Sequence, residues 1–215
     1  MTEYFTIAAP CEASVTEKRS EFIAQLFPAQ DAEQCSALIA QVKAKHHKAR
    51  HNVWAYVLRS GAVRYSDDGE PQGTGGIPVL SVLQKTGLSD VCCVVTRYFG
   101  GVLLGAPGLT RAYSDAAAKA VKTAQIQHFC EAQHIRLHLD YGSYPTVSYL
   151  LQKRGILVAG TDYGADVCME LEVRTQDVKE LLAALTEQLG GQPQAEITET
   201  HFTDLNAGNA SPSDT

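Results

Sequence analysis

The chain has 215 residues, of which 45% are hydrophobic and 20% are charged, an ordinary balance for a globular protein. No apolar run approaches the roughly 20 residues that span a bilayer, and the N-terminal segment has no basic region followed by an apolar core. We therefore expect a cytoplasmic protein with no membrane contact. The net charge of −6 divides into +1 for residues 1–133 and −7 for residues 134–215, so a nucleic acid would bind the first half.

The apolar pattern of the first half predicts one sheet backed by helices. Strands are predicted at 21–29, 53–59 and 91–99, and helices at 31–47, 77–87 and 109–124. The last of these strands is a continuous apolar run, which is typical of a central strand buried on both faces. Asp31 is expected to cap the first helix, and Pro107 is expected to lie just before the third helix.

The second half is more regular and predicts the order β-α-β-β-α-β, the ferredoxin-like arrangement. Strands are predicted at 135–139, 156–163, 167–173 and 194–200, and helices at 144–155 and 175–190, the latter capped by Thr175. We expect an N-terminal domain over residues 1–130 and a C-terminal domain over residues 131–205. Residues 206–215 are small, polar and aperiodic, and are expected to form a disordered tail.

Two glycine-rich segments, at 73–78 and 100–108, each lead into a predicted helix. Such segments expose free N–H groups at the positive end of the helix dipole, which attract anions. Arg97 and Arg111 flank the second segment and could add bidentate contacts to phosphate or carboxylate. Both segments lack the nucleotide-binding glycine motifs. The alternative is that the glycines serve only tight turns and close backbone approach.

Three acids precede the first glycine segment: Asp67, Asp68 and Glu70. They could bind Mg²⁺ and, with His51 nearby, form a hydrolase acting on a phosphate ester or a peptide. Against this, Asp68-Gly69 is a strong turn dipeptide, and Asp67 could hydrogen-bond its own backbone two residues on. We prefer the interpretation as a turn with solvated acids. No complete catalytic set is recognisable, and no metal or cofactor is expected.

A basic segment, KAKHHKARH at 43–51, is the remaining cluster of ionisable residues. It could bind phosphates, but cations at a helix C-terminus also complement the helix dipole, and we prefer that explanation. The six cysteines form no C-x-x-C pair, which argues against a zinc ribbon or a thioredoxin-like site. They are predicted to be packing thiols, with the adjacent Cys92 and Cys93 on opposite faces of their strand.

Two long motifs, YSDDGEPQGTGGIPVL (65–80) and VVTRYFGGVLLGAPGLTRAYSDA (94–116), resemble in this order the signature of the IMPACT/YigZ family. The likeness covers most of residues 12–125. In this family the eukaryotic IMPACT protein is a translation regulator that restrains the amino-acid-starvation kinase by competing for its activator. The resemblance implies an α+β fold with a ribosomal protein S5 domain 2-like domain followed by a ferredoxin-like (βαββαβ) domain similar to one in translation elongation factor G. Both relatives contact RNA or ribosomes.

The resemblance also implies a candidate binding surface on the first domain: His51, Asp67, Asp68, Glu70, Arg97, Tyr98, Gly100, Gly101, Arg111 and Tyr113. We expect the SDDGEP and RYFGG turns to meet on one face of that domain. The favoured function is a non-enzymatic, translation-associated regulatory protein that binds RNA, the ribosome or a translation-factor partner, without DNA sequence specificity. The magnesium hydrolase and a simple protein adaptor remain the alternatives, and the oligomeric state stays open.

Overall fold

The computed structural model describes residues 2–204, so the expected tail at 206–215 lies outside the described residues. The protein has a mixed α/β architecture with antiparallel sheets. The described residues divide into two compact units, residues 4–127 and residues 2–3 together with 128–204. Within this part of the chain, no helix is long and apolar enough to cross a membrane.

The first unit is built from short strands and three helices. These elements are β1 (Glu3–Ile7), β2 (Cys11–Glu17), β3 (Ser20–Pro28), α1 (Ala32–Lys45), β4 (His51–Val57), β5 (Val63–Ser66), α2 (Gly76–Lys85), β6 (Val91–Tyr98) and α3 (Gly105–Thr123). Five of the strands form an antiparallel sheet in the order β2-β3-β6-β4-β5. The strand β6 therefore lies at the centre, as its apolar run predicts.

The central sheet carries a core on each face. On one face, Cys93 and Val95 pack into the core that includes residues of α2 and α3. On the other face, Cys92 and Val94 pack into the core that includes residues of α1. Successive side chains of a strand point to opposite faces, so the prediction for the adjacent cysteines is confirmed. The floor of any site at the end of β6 is consequently held by packing on both sides of the sheet.

Several predicted details are wrong. Helix α3 begins at Gly105, so Pro107 lies in its first turn, where the missing N–H breaks no intrahelical bond. The helix Val178–Leu189 in the second half has Asp177 rather than Thr175 at its N-cap. The strands β1, β2 and β5 were not predicted, because β1 and β5 have only five and four residues and β2 has no fully buried residue.

The second unit has the element order β-α-β-β-α-β that its sequence pattern predicts. The elements are β7 (Ile126–Leu139), α4 (Tyr144–Lys153), β8 (Leu157–Tyr163), β9 (Val167–Arg174), α5 (Val178–Leu189) and β10 (Gln194–Thr203). Within this unit the sheet order is β10-β7-β9-β8. Alternate residues of β7 and β9, such as Leu137 and Leu171, pack with Leu151 of α4 and Leu185 of α5 in a fully buried core.

The cysteines give a direct test of this packing. All six are free thiols: Cys35, Cys92, Cys93 and Cys130 are buried, and Cys11 and Cys168 are partly exposed. Burial raises the pKa of Cys93 to about 12, which suppresses its thiolate. We expect Ellman's reagent to modify the two partly exposed thiols of the native protein and to reach the four buried thiols only after guanidinium unfolding. Rapid modification of a third thiol in native buffer would contradict the structure.

Candidate functional site

An open pocket of about 360 Å³ lies in the first unit, where the turn after β5 meets the loop between β6 and α3. Its lining combines four polar side chains with an apolar wall: Arg50, His51, Glu70 and Arg97, then Pro71, Phe99, Leu103, Leu104, Ala106 and Leu109, with Gly69 and Gly105 between them. The SDDGEP and RYFGG turns therefore meet on one face of this unit. A concave apolar site with a few convergent polar groups is the usual form of a ligand pocket.

A buried ionic network forms the polar floor of the pocket. The Arg97 guanidinium donates from Nη1 to Glu70 Oε1 at 2.6 Å, and the Tyr113 hydroxyl donates to the same oxygen at 2.9 Å. Glu70 and Arg97 are 8% and 6% exposed, and Tyr113 is fully buried. Burial, and then the neighbouring Glu70 carboxylate, raises the pKa of Tyr113 well above its usual range, so the phenol remains a hydrogen-bond donor. Tyr113 thus supports the site from beneath and reaches the pocket only through Glu70.

The imidazole ring of His51 also lies at the floor of the pocket, and its hydrogen bond defines which nitrogen carries the proton. Its Nδ1 lies 2.9 Å from the backbone oxygen of Asp68. Because a carbonyl oxygen only accepts, Nδ1 carries the proton. The Nε2 atom then lies 4.0 Å from Glu70 Oε1, which is too long for a hydrogen bond. The imidazole is therefore fixed through one nitrogen and leaves the other beside the pocket.

Asp67 serves the N-terminus of α2. Its carboxylate accepts hydrogen bonds from the backbone N–H groups of Gly73, Gly75 and Gly76 at 2.8–2.9 Å. These donors are the free groups that the first glycine segment was expected to offer to an anion. The Asp67 carboxylate therefore occupies the place of an external anion at this helix end. The predicted hydrogen bond from Asp67 to the backbone two residues later does not form, because the carboxylate caps α2 instead.

Asp68 serves the turn itself. Its carboxylate accepts from Lys43 Nζ at 2.6 Å and from the Asn52 backbone N–H at 2.7 Å. Asp68 and Gly69 both have positive φ, at 44° and 85°, so the turn predicted for this dipeptide is confirmed. Lys43 lies in the last turn of α1, in agreement with the helix-end explanation for the start of the basic segment.

The three acids are therefore held by three different sets of partners and do not converge, and the expectation of solvated acids is wrong for Glu70, which is buried. Among residues 2–204, no group of three metal-ligating side chains is placed to hold a metal ion. A magnesium site built on Asp67, Asp68 and Glu70 would have to break the α2 cap, the turn and the buried Arg97 pair together. The magnesium-hydrolase interpretation is therefore not supported, because it lacks the ligand set that it requires.

The second glycine segment differs from the first. Helix α3 has Leu104 at its N-cap, with no side-chain cap and no acidic residue in its first turn. Its first residues, Gly105 and Ala106, line the pocket. Gly100 has a packing role, since a Cβ there would overlap the carbonyl group of Arg19. Gly101 adopts a φ of 83°, which favours glycine.

Seven of the ten predicted surface residues lie outside the pocket lining, and Arg111 and Tyr98 have partners of their own. The side chain of Arg111 is 85% exposed and pairs with Asp115, four residues later on α3, at 3.6 Å. The Tyr98 hydroxyl lies 3.0 Å from His46 Nδ1. The structure therefore brings His51, Glu70 and Arg97 together at one floor. It leaves Arg111 and Tyr98 in other surroundings.

The apolar wall was missed by the sequence reasoning. Leu103 is 83% exposed and Phe99 is 46% exposed, which is unusual for side chains of this size. Both belong to the glycine-rich loop between β6 and α3. The available signal was the presence of large apolar residues in a segment otherwise composed of loop-forming residues. Arg50 was missed as a pocket residue because it belongs to the basic segment assigned to the end of α1.

We expect His46, whose Nδ1 contacts the Tyr98 hydroxyl, to make the stability of the first unit depend on pH. Burial lowers its pKa below the ordinary value, and the charge of Lys45 lowers it further. The unfolded chain therefore binds more protons than the folded chain between the two pKa values, so the unfolding free energy falls as the pH drops through that window. We expect His46→Gln to flatten the pH dependence of urea unfolding below the ordinary histidine pKa of about 6.5. The matched change His47→Gln, at an exposed neighbour, should leave the slope unaltered, and equal effects of the two changes would contradict this account.

Comparison with known proteins places this architecture in a family. Residues 18–121 match the model of the Impact N-terminal domain, and residues 137–192 match a domain of unknown function, DUF1949. The chain is 34% identical to an IMPACT family member of Haemophilus influenzae over 206 residues, covering 93% of this chain and 98% of that protein. The chain belongs to the IMPACT family. The bacterial relatives of this family include the YvyE and YigZ proteins.

Two further comparisons define the extent of the likeness. A solved structure described as that of a hypothetical protein aligns with a TM-score of 0.60 and 30% identity, covering 93% of this chain and 98% of the other. The protein IMPACT of Bos taurus is 33% identical over 98 residues, which cover 42% of this chain and 30% of that protein. The similarity to the bovine protein is thus confined to a part of each chain.

Proposed function

We propose that this protein is a translation-associated regulatory protein and that its first unit binds RNA or the ribosome through phosphate contacts. Membership of the family that contains the eukaryotic IMPACT proteins supports a regulatory role in translation. The proposed phosphate contacts rest on one observation. In the turn between β2 and β3, two exposed basic residues have a strained backbone. A translation-factor protein as the partner is the alternative outcome of the experiment below.

The charge distribution over the two units favours the first as the phosphate-binding unit. Residues 4–127 contain 13 Lys and Arg against 10 Asp and Glu, a net charge of +3. The remaining residues contain 5 Lys and Arg against 14 Asp and Glu, a net charge of −9. An acidic unit repels a phosphate backbone, whereas a basic one attracts it.

The β2–β3 turn presents Lys18 and Arg19 at φ values of 46° and 67°. Two successive left-handed residues form the turn that Asn-Gly prefers, and non-glycine residues there are strained by about 1 kcal/mol or more each. Both side chains are exposed. The backbone of Arg19 contacts Gly100, next to the pocket residue Phe99. Strained basic residues at the border of a pocket support a binding role for this turn.

We also propose the finer fold assignments that the family resemblance implies. A ribosomal protein S5 domain 2-like domain over residues 1–130 would contain the first unit, and a ferredoxin-like domain over residues 131–205 would contain most of the second. The β-α-β-β-α-β order and the antiparallel neighbours of β7 and β9 support the second assignment. A cytoplasmic location is proposed with them, and six free thiols are compatible with a reducing compartment.

The double change Lys18→Asn/Arg19→Gly tests the binding role without disturbing the fold. It gives the turn its preferred residues and removes two positive charges. Fluorescence anisotropy with labelled RNA over a range of salt concentrations should show weaker binding. The slope of log affinity against log salt should fall by about one for each phosphate that the variant no longer binds.

The matched control is Arg64→Gln/Lys85→Gln, which removes the same charge from exposed positions outside the pocket lining. It should leave both affinity and slope close to those of the unchanged protein. If both variants lost the same RNA affinity, the loss would be explained by the change in net charge alone. The proposed contact at the β2–β3 turn would then be wrong. Capture of the tagged protein from lysate with and without ribonuclease separates an RNA or ribosome partner, which ribonuclease releases, from a protein partner, which it does not.

A further inference from the structure

We propose that the pocket at the N-terminus of α3 binds a small organic oxyanion, a carboxylate or a phosphate joined to an apolar group. This inference goes beyond the translational role and does not depend on it. It uses the interior of the pocket, whereas the proposed RNA contact uses the exposed turn between β2 and β3.

The first argument is an unsatisfied buried donor on Arg97, a residue that lines the pocket. Arg97 lines the pocket and is 6% exposed. Its Nη1 donates to Glu70, but among residues 2–204 its buried Nε has no hydrogen-bond acceptor. A buried donor without a partner costs about 1–3 kcal/mol, and more when the group is charged. Because Nε is buried from solvent, an oxyanion in the pocket accepts from it only after a shift of the Arg97 side chain, and the unpaired donor lowers the cost of that shift.

The second argument is the uncapped helix that ends in the same pocket. The N–H groups of the first turn of a helix need acceptors, and among residues 2–204 no side chain accepts from those of α3. At the N-terminus of α2 the free N–H groups do have an acceptor, because the Asp67 carboxylate accepts three backbone hydrogen bonds. Gly105 and Ala106 of α3 instead border open space. The Asp67 cap is thus an internal example of the oxyanion that α3 lacks.

The third argument concerns the sign of the charge and the nature of the walls. Arg50 and Arg97 outweigh Glu70, so the lining carries a formal charge of +1 with His51 neutral. Phe99 and Leu103 present apolar surface to solvent at the same pocket. Covering that surface favours binding by roughly 25 cal/mol per Å². The ligand therefore combines an anionic head with an apolar body, in a volume of about 360 Å³ that suits a small molecule.

Four probes of matched ionic strength test the proposal by backbone amide NMR titration: benzoate, phenyl phosphate, acetate and benzylammonium. We expect benzoate or phenyl phosphate to shift the amide signals of Gly105 and Ala106 in a saturable manner, and the tighter of the two identifies the head group. Acetate should bind at least about tenfold more weakly, because it lacks the apolar body. Benzylammonium should leave these signals unmoved.

Variants locate the site. Leu103→Ser and Arg50→Gln change exposed residues, so the fold should be preserved, and each should weaken the bound probe about fivefold. Arg97→Lys keeps a charge for Glu70 but removes the Nε donor, and should weaken it further. The control Arg111→Gln removes an exposed arginine of α3 outside the pocket lining and should have no effect.

Two kinds of result would overturn the inference. One is the absence of saturable shifts with both aromatic oxyanions, or equal shifts with benzylammonium. The other is binding that persists unchanged in both Leu103→Ser and Arg50→Gln. RNA binding by the same variants is measured separately by anisotropy. If the probes do not bind the pocket, the proposed RNA contact at the β2–β3 turn is unaffected. If RNA does not bind, the result of the probe titration still stands.

Discussion

Replacing Glu70 by alanine should lower the unfolding free energy of the first unit by about 3–5 kcal/mol, the largest effect we expect from one polar substitution. The change leaves the Arg97 guanidinium buried without its carboxylate and the Tyr113 hydroxyl without its acceptor. Each group remains buried without a hydrogen-bond partner, so its desolvation is no longer compensated and the unfolding free energy falls. Urea unfolding followed by fluorescence of Trp54 measures the effect, since this only tryptophan of the chain lies in β4 of the first unit.

The matched control for Glu70→Ala is Asp115→Ala, which breaks the exposed pair with Arg111. That pair should contribute less than about 1 kcal/mol, because solvent screens it. The double change Glu70→Leu/Arg97→Met replaces both buried charges by apolar side chains and should recover much of the stability lost in Glu70→Ala. Similar losses for Glu70→Ala and Asp115→Ala would show that the network does not stabilise this unit.

Replacing Asp67 by alanine is the second large effect, with an expected loss of about 2–4 kcal/mol in the same assay. Three backbone N–H groups, those of Gly73, Gly75 and Gly76, lose their common acceptor. Gly75 and Gly76 are buried, so water cannot replace the carboxylate without rearrangement of the turn. The N-terminus of α2 and the neighbouring wall of the pocket should loosen together.

The corresponding control is Asp31→Ala at the exposed N-cap of α1. The Asp31 carboxylate accepts a single bond, from the Gln34 N–H at 2.8 Å, and its removal should cost about 1 kcal/mol. The comparison separates an ordinary helix cap from a carboxylate that organises a whole turn. If Asp67→Ala costs no more than Asp31→Ala, the structural role assigned to Asp67 is wrong.

The sequence predicts the elements whose side chains follow one strong pattern. The run of β6 indicated a central strand, and the Asp31 cap and the apolar stripe of α1 indicated that helix. The apolar pattern does not predict the exact ends of helices or the short strands at the edge of the sheet. Pro107 was taken as a boundary although it fits within the first turn of α3, and β5, with only four residues, is too short for alternation to be distinctive.

The site was predictable in its loops but not in its chemistry. The density of acids, glycines and prolines marked the turn at residues 65–78, and the family motifs marked the loop after β6. Residue types alone do not reveal that Arg97 turns inward to Glu70, because an arginine next to a glycine loop is usually exposed. Nor do they distinguish the helix end that Asp67 closes from the one that remains open, since that depends on which backbone the turn brings within reach.

Gly100 limits how this pocket can be redesigned. A methyl group at that position would overlap the main chain of Arg19, so any side chain there would separate the β2–β3 hairpin from the loop that carries Phe99 and Leu103. A mutant library that randomises position 100 should therefore return glycine under selection for folded protein. Libraries meant to alter ligand preference should instead vary positions 99 and 103, where the side chains face solvent and the backbone makes no such demand.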